Sequence, residues 1–231
     1  MVENDILNSS PPFYDFEGFY GGENAIHIAG VDEAGRGPLA GPVHAAVCIL
    51  PRGERFGRLG DSKALSAAHR EEVYDLLMAH PGVFWALGVA SVEEIDALNI
   101  LQATFLAMQR AVEALVCKTG IVPERILVDG NRAPKFSVPG VVDCLIKGDS
   151  RVACIAAASI IAKVTRDRVM DTLHKEYPGY GFDQHRGYGT KAHLEALQRL
   201  GVTSAHRRSF RPVRELDCES SLLLNITKMS R

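Results

Sequence analysis

Short apolar runs that close on acidic residues constrain the fold of this chain more than any other feature. Asp32 and Glu33 close the first run, Asp129 closes the fourth, and Asp149 follows the fifth. Short runs of β-branched and apolar residues that end at glycine or aspartate are typical of buried strands. Because loops converge where the strands of an α/β sheet end, the pattern predicts that these four carboxylates lie near one another.

Strand candidates alternate with helix candidates along the chain. The strand candidates lie at 25–35, 41–50, 82–92, 125–130 and 141–149. The helix candidates lie at 66–79, from near 92, at 100–118, from Ser150 to about 175, and at 191–200. The first two strands are close in sequence, so we expect them to pair antiparallel. The order predicts an α/β fold, with a mixed central sheet flanked by helices and a helical C-terminal part.

We expect one domain between two terminal segments. Residues 1–24 are predicted to form a loose arm because Pro11-Pro12 and Gly21-Gly22 interrupt them. The domain is predicted to span 25–214, with a tail at 215–231. The N-terminus lacks the basic start and apolar stretch of a signal peptide. No apolar run reaches the roughly 18 residues that a membrane span needs, so no membrane partner is expected.

The cysteine pattern favours a reducing compartment. Five cysteines occur without a CxxC spacing, so neither a zinc knuckle nor a disulfide framework is indicated. We therefore expect reduced, mostly buried thiols in a cytoplasmic protein.

Charge is distributed unevenly, although the formal net charge is only −2. No lysine or arginine precedes Arg36, whereas seven acidic residues do. From Arg186 to Arg214 the balance reverses, and seven basic residues face only Glu195. The asymmetry allows a basic patch beside an acidic site, although a charge run is more often a solvated face.

Clustered carboxylates without histidine or cysteine ligand spacing indicate a hard divalent cation. Carboxylates brought together repel unless a cation neutralises them, and Mg²⁺ and Mn²⁺ prefer oxygen ligands. Simpler interpretations exist, because Asp129-Gly130 is typical of a turn and Asp149 could favour the dipole of a following helix. Successive strand residues point to opposite faces, so Glu33 joins Asp32 only if the strand bends there. Otherwise its main-chain carbonyl could contribute.

The glycines after the first strand could provide that bend. Gly35, Gly37 and Gly41 give GxGxxxG, one residue off the dinucleotide fingerprint, and a strand follows where that motif requires a helix. No GxxxxGK[ST] motif occurs either, so no nucleotide cofactor is expected. Main-chain N–H groups at glycines can nevertheless approach a sugar or phosphate closely.

A polar stripe runs along the long helix candidate. Ser159, Lys163 and Arg166 lie at i, i+4 and i+7. The stripe is either a functional surface or a solvated face with a Lys163–Asp167 ion pair. The sequence leaves both interpretations open.

Seven sequence blocks together resemble the ribonuclease HII family. They are VDEAGRGPLAGPV at 31–43, DSKALS at 61–66, VDGN at 128–131, KGDS at 147–150, AAASIIAKVTRDR at 156–168, YPGYGFDQHRGYGT at 177–190 and HRRSFRPV at 206–213. The resemblance implies a ribonuclease H-like fold and hydrolysis of RNA in RNA–DNA hybrids. It also implies incision at single ribonucleotides in duplex DNA.

The resemblance assigns the acidic residues to metal binding. Asp32, Glu33, Asp129 and Asp149 match the family's four acidic positions, of which the first three are its main ligands. We expect two Mg²⁺ or Mn²⁺ ions about 4 Å apart, which activate water and stabilise the leaving 3′-oxygen. The products implied are a 3′-hydroxyl and a 5′-phosphate.

The resemblance also assigns residues to the substrate. Gly35-Arg36-Gly37 matches the family's loop that reads the ribose 2′-OH, and Tyr188 matches its junction-sensing tyrosine. Our candidates for phosphate contacts are Lys63, Lys163 and Arg166. Such contacts position a protein along a duplex without recognising its base sequence. The expected partners are RNA–DNA hybrid and ribonucleotide-containing duplex DNA, bound by a monomer.

Two other functions remain compatible with the same fold. One is a DNA-processing nuclease or resolvase, which cuts an all-DNA duplex and spares a ribonucleotide-containing one. The other is a catalytically silent module that binds hybrids without cutting them in Mg²⁺. Intact carboxylates at all four positions argue against the silent module.

Overall fold

A mixed five-stranded sheet forms the centre of the molecule. The computed structural model describes residues 27–54, 56, 59 and 65–217, so the predicted arm lies outside the described residues, as does the tail beyond 217. The strands are β1 (Ile28–Ala34), β2 (Val43–Ile49), β3 (Phe84–Ala90), β4 (Arg125–Asp129) and β5 (Val141–Leu145). Their spatial order is β3-β2-β1-β4-β5. The β1–β2 and β2–β3 pairs are antiparallel, and the β1–β4 and β4–β5 pairs are parallel, which confirms the predicted mixed sheet.

Helices cover both faces of this sheet. They are α1 (Ala67–Ala79), α2 (Val92–Leu98), α3 (Ile100–Thr119), α4 (Ala153–Glu176), α5 (Phe182–His185), α6 (Lys191–Leu200) and α7 (211–217). Helix α3 packs on β2 and β3 from one side, while α4 packs on β1 and β2 from the other, with α1 against it. The predicted α/β class with flanking helices is therefore confirmed.

The alternation of side chains along β1 divides the core into two layers. Ala29 and Val31 belong to the apolar cluster beneath α3, whereas Ile28 and Ala34 belong to the cluster beneath α4. This period of two follows from strand geometry. It sends Asp32 to the α4 side and Glu33 to the α3 side.

Helix α3 is the one described helix whose length and composition would suit a membrane span. In this fold the residues of its apolar face, among them Ala107, Ala111 and Leu115, are fully buried in the core beneath β2 and β3. Its apolar composition is therefore that of a core helix.

The long helix begins later than the sequence predicts. Leu145 ends β5, and a single 3₁₀ turn spans Gly148–Ser150 before α4 starts at Ala153. Lys147 adopts a left-handed φ of 56°, and Val152 is extended, so the chain cannot enter an α-helix at Ser150. The prediction that Ser150 opens the helix is wrong, and Asp149 caps no long helix.

The helical C-terminal part is confirmed. Helices α5, α6 and α7 share an apolar cluster with the end of α4 and with Leu39 and Ala40 of the β1–β2 loop. Helix α7 continues through 217, and Leu216 packs against this cluster. The predicted domain end at 214 therefore falls inside a helix.

Close contact between β1 and α4 fixes the distance between the sheet and this helix. A Cβ built on Gly30 would lie 2.2 Å from the main-chain carbon of Cys154 and 2.3 Å from the nitrogen of Ile155. Neither strand nor helix backbone can yield to such an overlap without a shift of the whole element.

We predict that Gly30→Ala lowers the free energy of unfolding by at least about 3 kcal/mol, because the added methyl pushes α4 away from the sheet. Urea unfolding followed by circular dichroism measures the loss. Gly53→Ala is the control, because a Cβ there meets nothing within 4 Å and adds only the strain of its left-handed backbone, about 1 kcal/mol. Equal losses in the two variants would contradict the proposed packing.

Candidate active site

Two parallel strands place the first pair of carboxylates side by side. Val31 of β1 is in register with Val128 of β4, so Asp32 and Asp129 are the next residues along neighbouring strands. Asp149 reaches the same place from the 3₁₀ turn after β5. One carboxylate oxygen from each of the three aspartates lies within 4.8 Å of the others.

The side chain of Asp129 also holds the turn that carries Asp149. Its Oδ1 accepts hydrogen bonds from the main-chain N–H of Gly148 at 2.7 Å and of Asp149 at 3.4 Å. The Asp129-Gly130 pair is therefore more than a surface turn, because its carboxylate organises a segment that is twenty residues away.

Burial makes the charge on Asp32 costly. The residue is only 4% exposed. Burial, and then the neighbouring carboxylates of Glu33 and Asp129, raise the pKa of Asp32 well above its usual 3.8, while a hydrogen bond with Ser159 opposes the rise. The three aspartates offer only oxygen ligands. Since a cation would relieve their repulsion, the residues present fit a hard divalent ion such as Mg²⁺ or Mn²⁺.

Glu33 lies outside this group of three carboxylates. The β1–β2 register continues without a break through Ala34, so Glu33 leaves the opposite face of the strand from Asp32, although its carboxylate is near enough to raise the pKa of Asp32. The Glu33 carboxylate instead pairs with Arg36, whose Nη1 is 3.2 Å from Oε1. Glu33 borders two cavities, one on each side of it.

The first cavity lies beside Glu33 and is bordered by the glycine loop. It has a volume of about 260 Å³, and its walls include Gly35, Gly37, Ser159, Lys163 and Tyr188. A Cβ built on Gly37 would lie 3.3 Å from Cε1 of Tyr188, so the tyrosine ring rests against the loop. The structure thus brings together the predicted loop and the predicted tyrosine, whose side chain is 48% exposed.

The second cavity lies on the α3 side of the carboxylates. It has a volume of about 290 Å³ and is lined by Asp129, Asn131 and Arg132 together with Phe105 and Met108 of α3.

The polar stripe of α4 is for the most part not a solvated face. Ser159 and Arg166 are 4% and 1% exposed, because the stripe packs against β1 and the β1–β2 loop. The Lys163–Asp167 ion pair is present at 2.7 Å, and Lys163 also lines the first cavity. The predicted Lys63 lies outside the described residues.

Arg166, a predicted phosphate contact, lines the first cavity but is almost fully buried. Its guanidinium donates to the main-chain carbonyls of Ala40, Pro42 and Arg186 at 3.1 Å each. The side chain also occupies the space beneath Gly35, where a Cβ would lie 2.0 Å from its Nε and where the backbone has a φ of +99°. Arg166 therefore supports the loop from inside, and its contact with a phosphate stays a prediction.

A chain of histidines anchors the loop that carries Tyr188. Since the Tyr188 carbonyl can only accept, His193 donates to it from Nδ1 at 2.9 Å. The His193 Nε2 then accepts from Nε2 of His206, at 3.2 Å, and Nδ1 of His206 accepts from the N–H of Thr203, at 3.1 Å. Burial lowers the pKa of His206 to about 4, so this chain of neutral rings persists at neutral pH.

Sequence reasoning gave no role to His193, His206 or Arg207. The HRRSFRPV block contains His206 and Arg207, and in the sequence it contributes only to the family resemblance. In the sequence, a histidine or arginine within a basic segment cannot be told from one exposed to solvent. For His206 and Arg207, the signal in the sequence is the whole HRRSFRPV block, because a solvated surface segment would not need so specific a sequence.

A mixed sheet flanked by helices, with three aspartates gathered at neighbouring strand ends, defines a ribonuclease H-like, metal-dependent hydrolase. A family model described as Ribonuclease HII matches residues 29–213. The chain belongs to the ribonuclease HII family, whose members cleave RNA in RNA–DNA hybrids endonucleolytically.

Relatives and solved structures agree with this membership. A ribonuclease HII of Cupriavidus metallidurans is 52% identical over 189 residues, covering 82% of each chain. The structure of ribonuclease H2 from Pyrococcus horikoshii aligns with a TM-score of 0.65 at 28% identity, covering 84% of this chain and 98% of that one. The structure of Bst-RNase HIII in complex with Mn²⁺ shares the fold, with a TM-score of 0.64 at 19% identity over 84% of this chain and 70% of that one.

We predict that Mn²⁺ raises the Tm of the wild-type protein. At about 100 times its dissociation constant, binding to the native state alone adds about 2.7 kcal/mol, or roughly 5–10 °C for a chain of this size. Asp129→Asn should lose most of this shift. In EDTA it should melt no lower than the wild type, because Asn keeps the acceptor for the Gly148 N–H and removes one repelling charge.

Differential scanning fluorimetry with Mn²⁺ and with EDTA measures both effects. Asp183→Asn serves as the control, since Asp183 lies on α5 and pairs with His174 at 3.0 Å, away from the cluster. It should keep the wild-type Mn²⁺ shift. A wild-type midpoint that Mn²⁺ leaves unchanged would rule out a shared metal site.

Proposed function

We propose that this chain incises duplex DNA on the 5′ side of single embedded ribonucleotides, in addition to cleaving the RNA strand of hybrids. The ends left are a 3′-hydroxyl and a 5′-phosphate. The observation that carries the proposal is the position of Ser159, which hydrogen-bonds Asp32 and also lines the glycine-loop cavity. We expect a ribose in that cavity to place its adjoining phosphodiester near the carboxylates, because Ser159 contacts both.

Recognition of the ribose is assigned to Gly35-Arg36-Gly37. RNA and DNA differ at one nucleotide by a single hydroxyl, which can both donate and accept a hydrogen bond. Glycines let main-chain groups approach that hydroxyl because no Cβ intervenes. Their contact with Tyr188 supports a joint site, in which the loop reads one sugar and the tyrosine ring stacks on the next.

The acidic cluster is assigned to two divalent cations. Asp32, Asp129 and Asp149 would hold them, and Glu33 is proposed as a further ligand through its carboxylate or its main-chain carbonyl. Bound there, the ions supply an activated water and stabilise charge on the reacting phosphate. Lys163 is positioned by Asp167 to donate to a phosphate oxygen from the cavity wall.

Two further predictions concern the cellular location of the protein and its oligomeric state. Among the described cysteines Cys48 and Cys154 are buried, whereas Cys117 and Cys144 are exposed, so the expectation of mostly buried thiols holds for only half of them. The cytoplasmic location stays a prediction. The monomeric state expected from the sequence stays a prediction.

Cleavage of matched duplexes tests the proposed function directly. We expect the wild type, in Mg²⁺ or Mn²⁺ and not in EDTA, to cut a duplex with one ribonucleotide and to spare the all-DNA duplex. Asp129→Asn should fold and lose at least about a thousandfold in rate, because a metal ligand is gone. Gel analysis of end-labelled strands gives the rate and the position of the cut.

The same assay separates the rival functions. Cutting of the all-DNA duplex with sparing of the ribonucleotide duplex would indicate a DNA-processing nuclease. Hybrid binding without cutting in Mg²⁺ would indicate a silent module. Near-normal turnover by folded Asp129→Asn would refute the metal-ligand assignment.

We predict that Tyr188→Ala loses more activity on a single embedded ribonucleotide than on a long RNA–DNA hybrid. The ring stacks on a deoxyribose, and base or sugar stacking on an aromatic contributes about 1–3 kcal/mol, so the ratio of the two rates should fall about tenfold or more. Tyr188→Phe keeps the ring and should keep the ratio. Equal losses on both substrates would mean that Tyr188 only anchors its loop.

A further inference from the structure

Arg207 is buried beneath the glycine loop. It follows the turn at 204–205 and is 0% exposed. Its guanidinium donates to the main-chain carbonyls of Gly35 at 2.6 Å and Arg36 at 3.0 Å. It also donates to the carbonyls of Gly41 at 2.9 Å and Pro42 at 3.3 Å. One side chain thus holds both ends of the β1–β2 loop.

No carboxylate forms an ion pair with this guanidinium within the described residues. Arg166 lies close by, also bound only to carbonyls. Burial and the neighbouring Arg166 lower the pKa of Arg207 to about 9, so it stays protonated at neutral pH. Asp96 favours the charge from a distance, and the Phe210 ring centroid lies 5.1 Å from the guanidinium carbon. A buried charge without an ion pair is nevertheless costly. Packing alone would favour an apolar side chain here.

The carbonyl contacts fix the direction of two main-chain N–H groups. In a trans peptide the C=O and the following N–H point in opposite directions. Since the carbonyls of Gly35 and Arg36 point inward to Arg207, the N–H groups of Arg36 and Gly37 point outward. Among the described residues no hydrogen bond engages either N–H group. Both residues line the first cavity.

A second set of contacts holds the arginine in place. The main-chain N–H of Arg207 donates to Leu39 O at 2.8 Å, and that of Gly41 donates to Ala205 O at 2.8 Å. On the other side, Asp96 of α2 accepts from the N–H groups of Arg208 and Ser209, at 2.9 Å each. The segment around Arg207 is therefore hydrogen-bonded both to the β1–β2 loop and to helix α2.

We propose that Arg207 is a positioning residue, which turns two main-chain N–H groups of the glycine loop toward the cavity so that they meet the hydroxyl of a ribose. The inference rests on the proposed function, because it assigns those groups to ribose recognition. A lysine cannot replace it, since one ammonium offers no planar fork to span the carbonyls of both loop ends.

The test compares the binding of two duplexes that differ by one hydroxyl. Fluorescence anisotropy in Ca²⁺ gives the affinity for a labelled duplex with one ribonucleotide and for its all-DNA counterpart. For Arg207→Lys we expect the ratio of the two affinities to fall about tenfold, the effect of one or two lost hydrogen bonds. The affinity for the all-DNA duplex should stay within about twofold of the wild type.

Arg208→Lys is the matched control. Arg208 is the next residue, its side chain is 54% exposed, and it pairs with Asp217 at 2.5 Å. The same substitution there should leave the ratio unchanged. If Arg207→Lys instead weakens both duplexes equally, or leaves the ratio as it is, the positioning role is overturned. A wild type without preference for the ribonucleotide duplex would overturn the proposed function itself, which the same titration shows separately.

Hydrogen exchange of the wild type decides the question if Arg207→Lys does not fold. We expect the amides of Arg36 and Gly37 to exchange rapidly in the free protein. The ribonucleotide duplex should slow them at least about tenfold more than the all-DNA duplex does. Amides that are already protected in the free protein would point inward, and that result would overturn the proposal.

Discussion

Repulsion among three aspartates, two of them buried, is the interaction on which the rest of this structure depends. Folding brings Asp32, Asp129 and Asp149 within 4.8 Å of one another. The rigid packing of the sheet holds the aspartates together despite this repulsion, because β1 and β4 run parallel and Gly30 lets α4 approach closely. Like charges held this way form a preorganised site that a divalent cation stabilises.

Much of the fold could be predicted because its signals are local. Strand candidates closed by aspartate, and the apolar period of 100–118, identify the sheet and α3 without any long-range information. Three members of the carboxylate cluster follow from the same rule, because strand ends gather in α/β sheets. The alternation of side chains also explains why Glu33 is not a member of the group formed by the three aspartates.

The rest depends on contacts between distant segments. The stripe of α4 has the pattern of a solvated face, yet Arg166 is buried because the β1–β2 loop covers it. The turn at Asp149 depends on a carboxylate at Asp129. Arg207 binds carbonyls about 170 residues earlier in the chain. Sequence periodicity describes each element alone, so it contains no information about which element covers another.

The tie between the glycine loop and Arg207 has a consequence for synthesis of the protein on the ribosome. All three aspartates and α4 have left the ribosome before residue 207 emerges, so the metal-binding half can assemble early. The glycine loop, which is proposed to read the ribose, gains its buried clamp only when residue 207 is available, about 170 residues after the loop itself. A chain that stops short of residue 207 contains the three aspartates but lacks this clamp. The carboxylate cluster and the clamp of the loop are thus encoded in separate parts of the chain, and the clamp comes last.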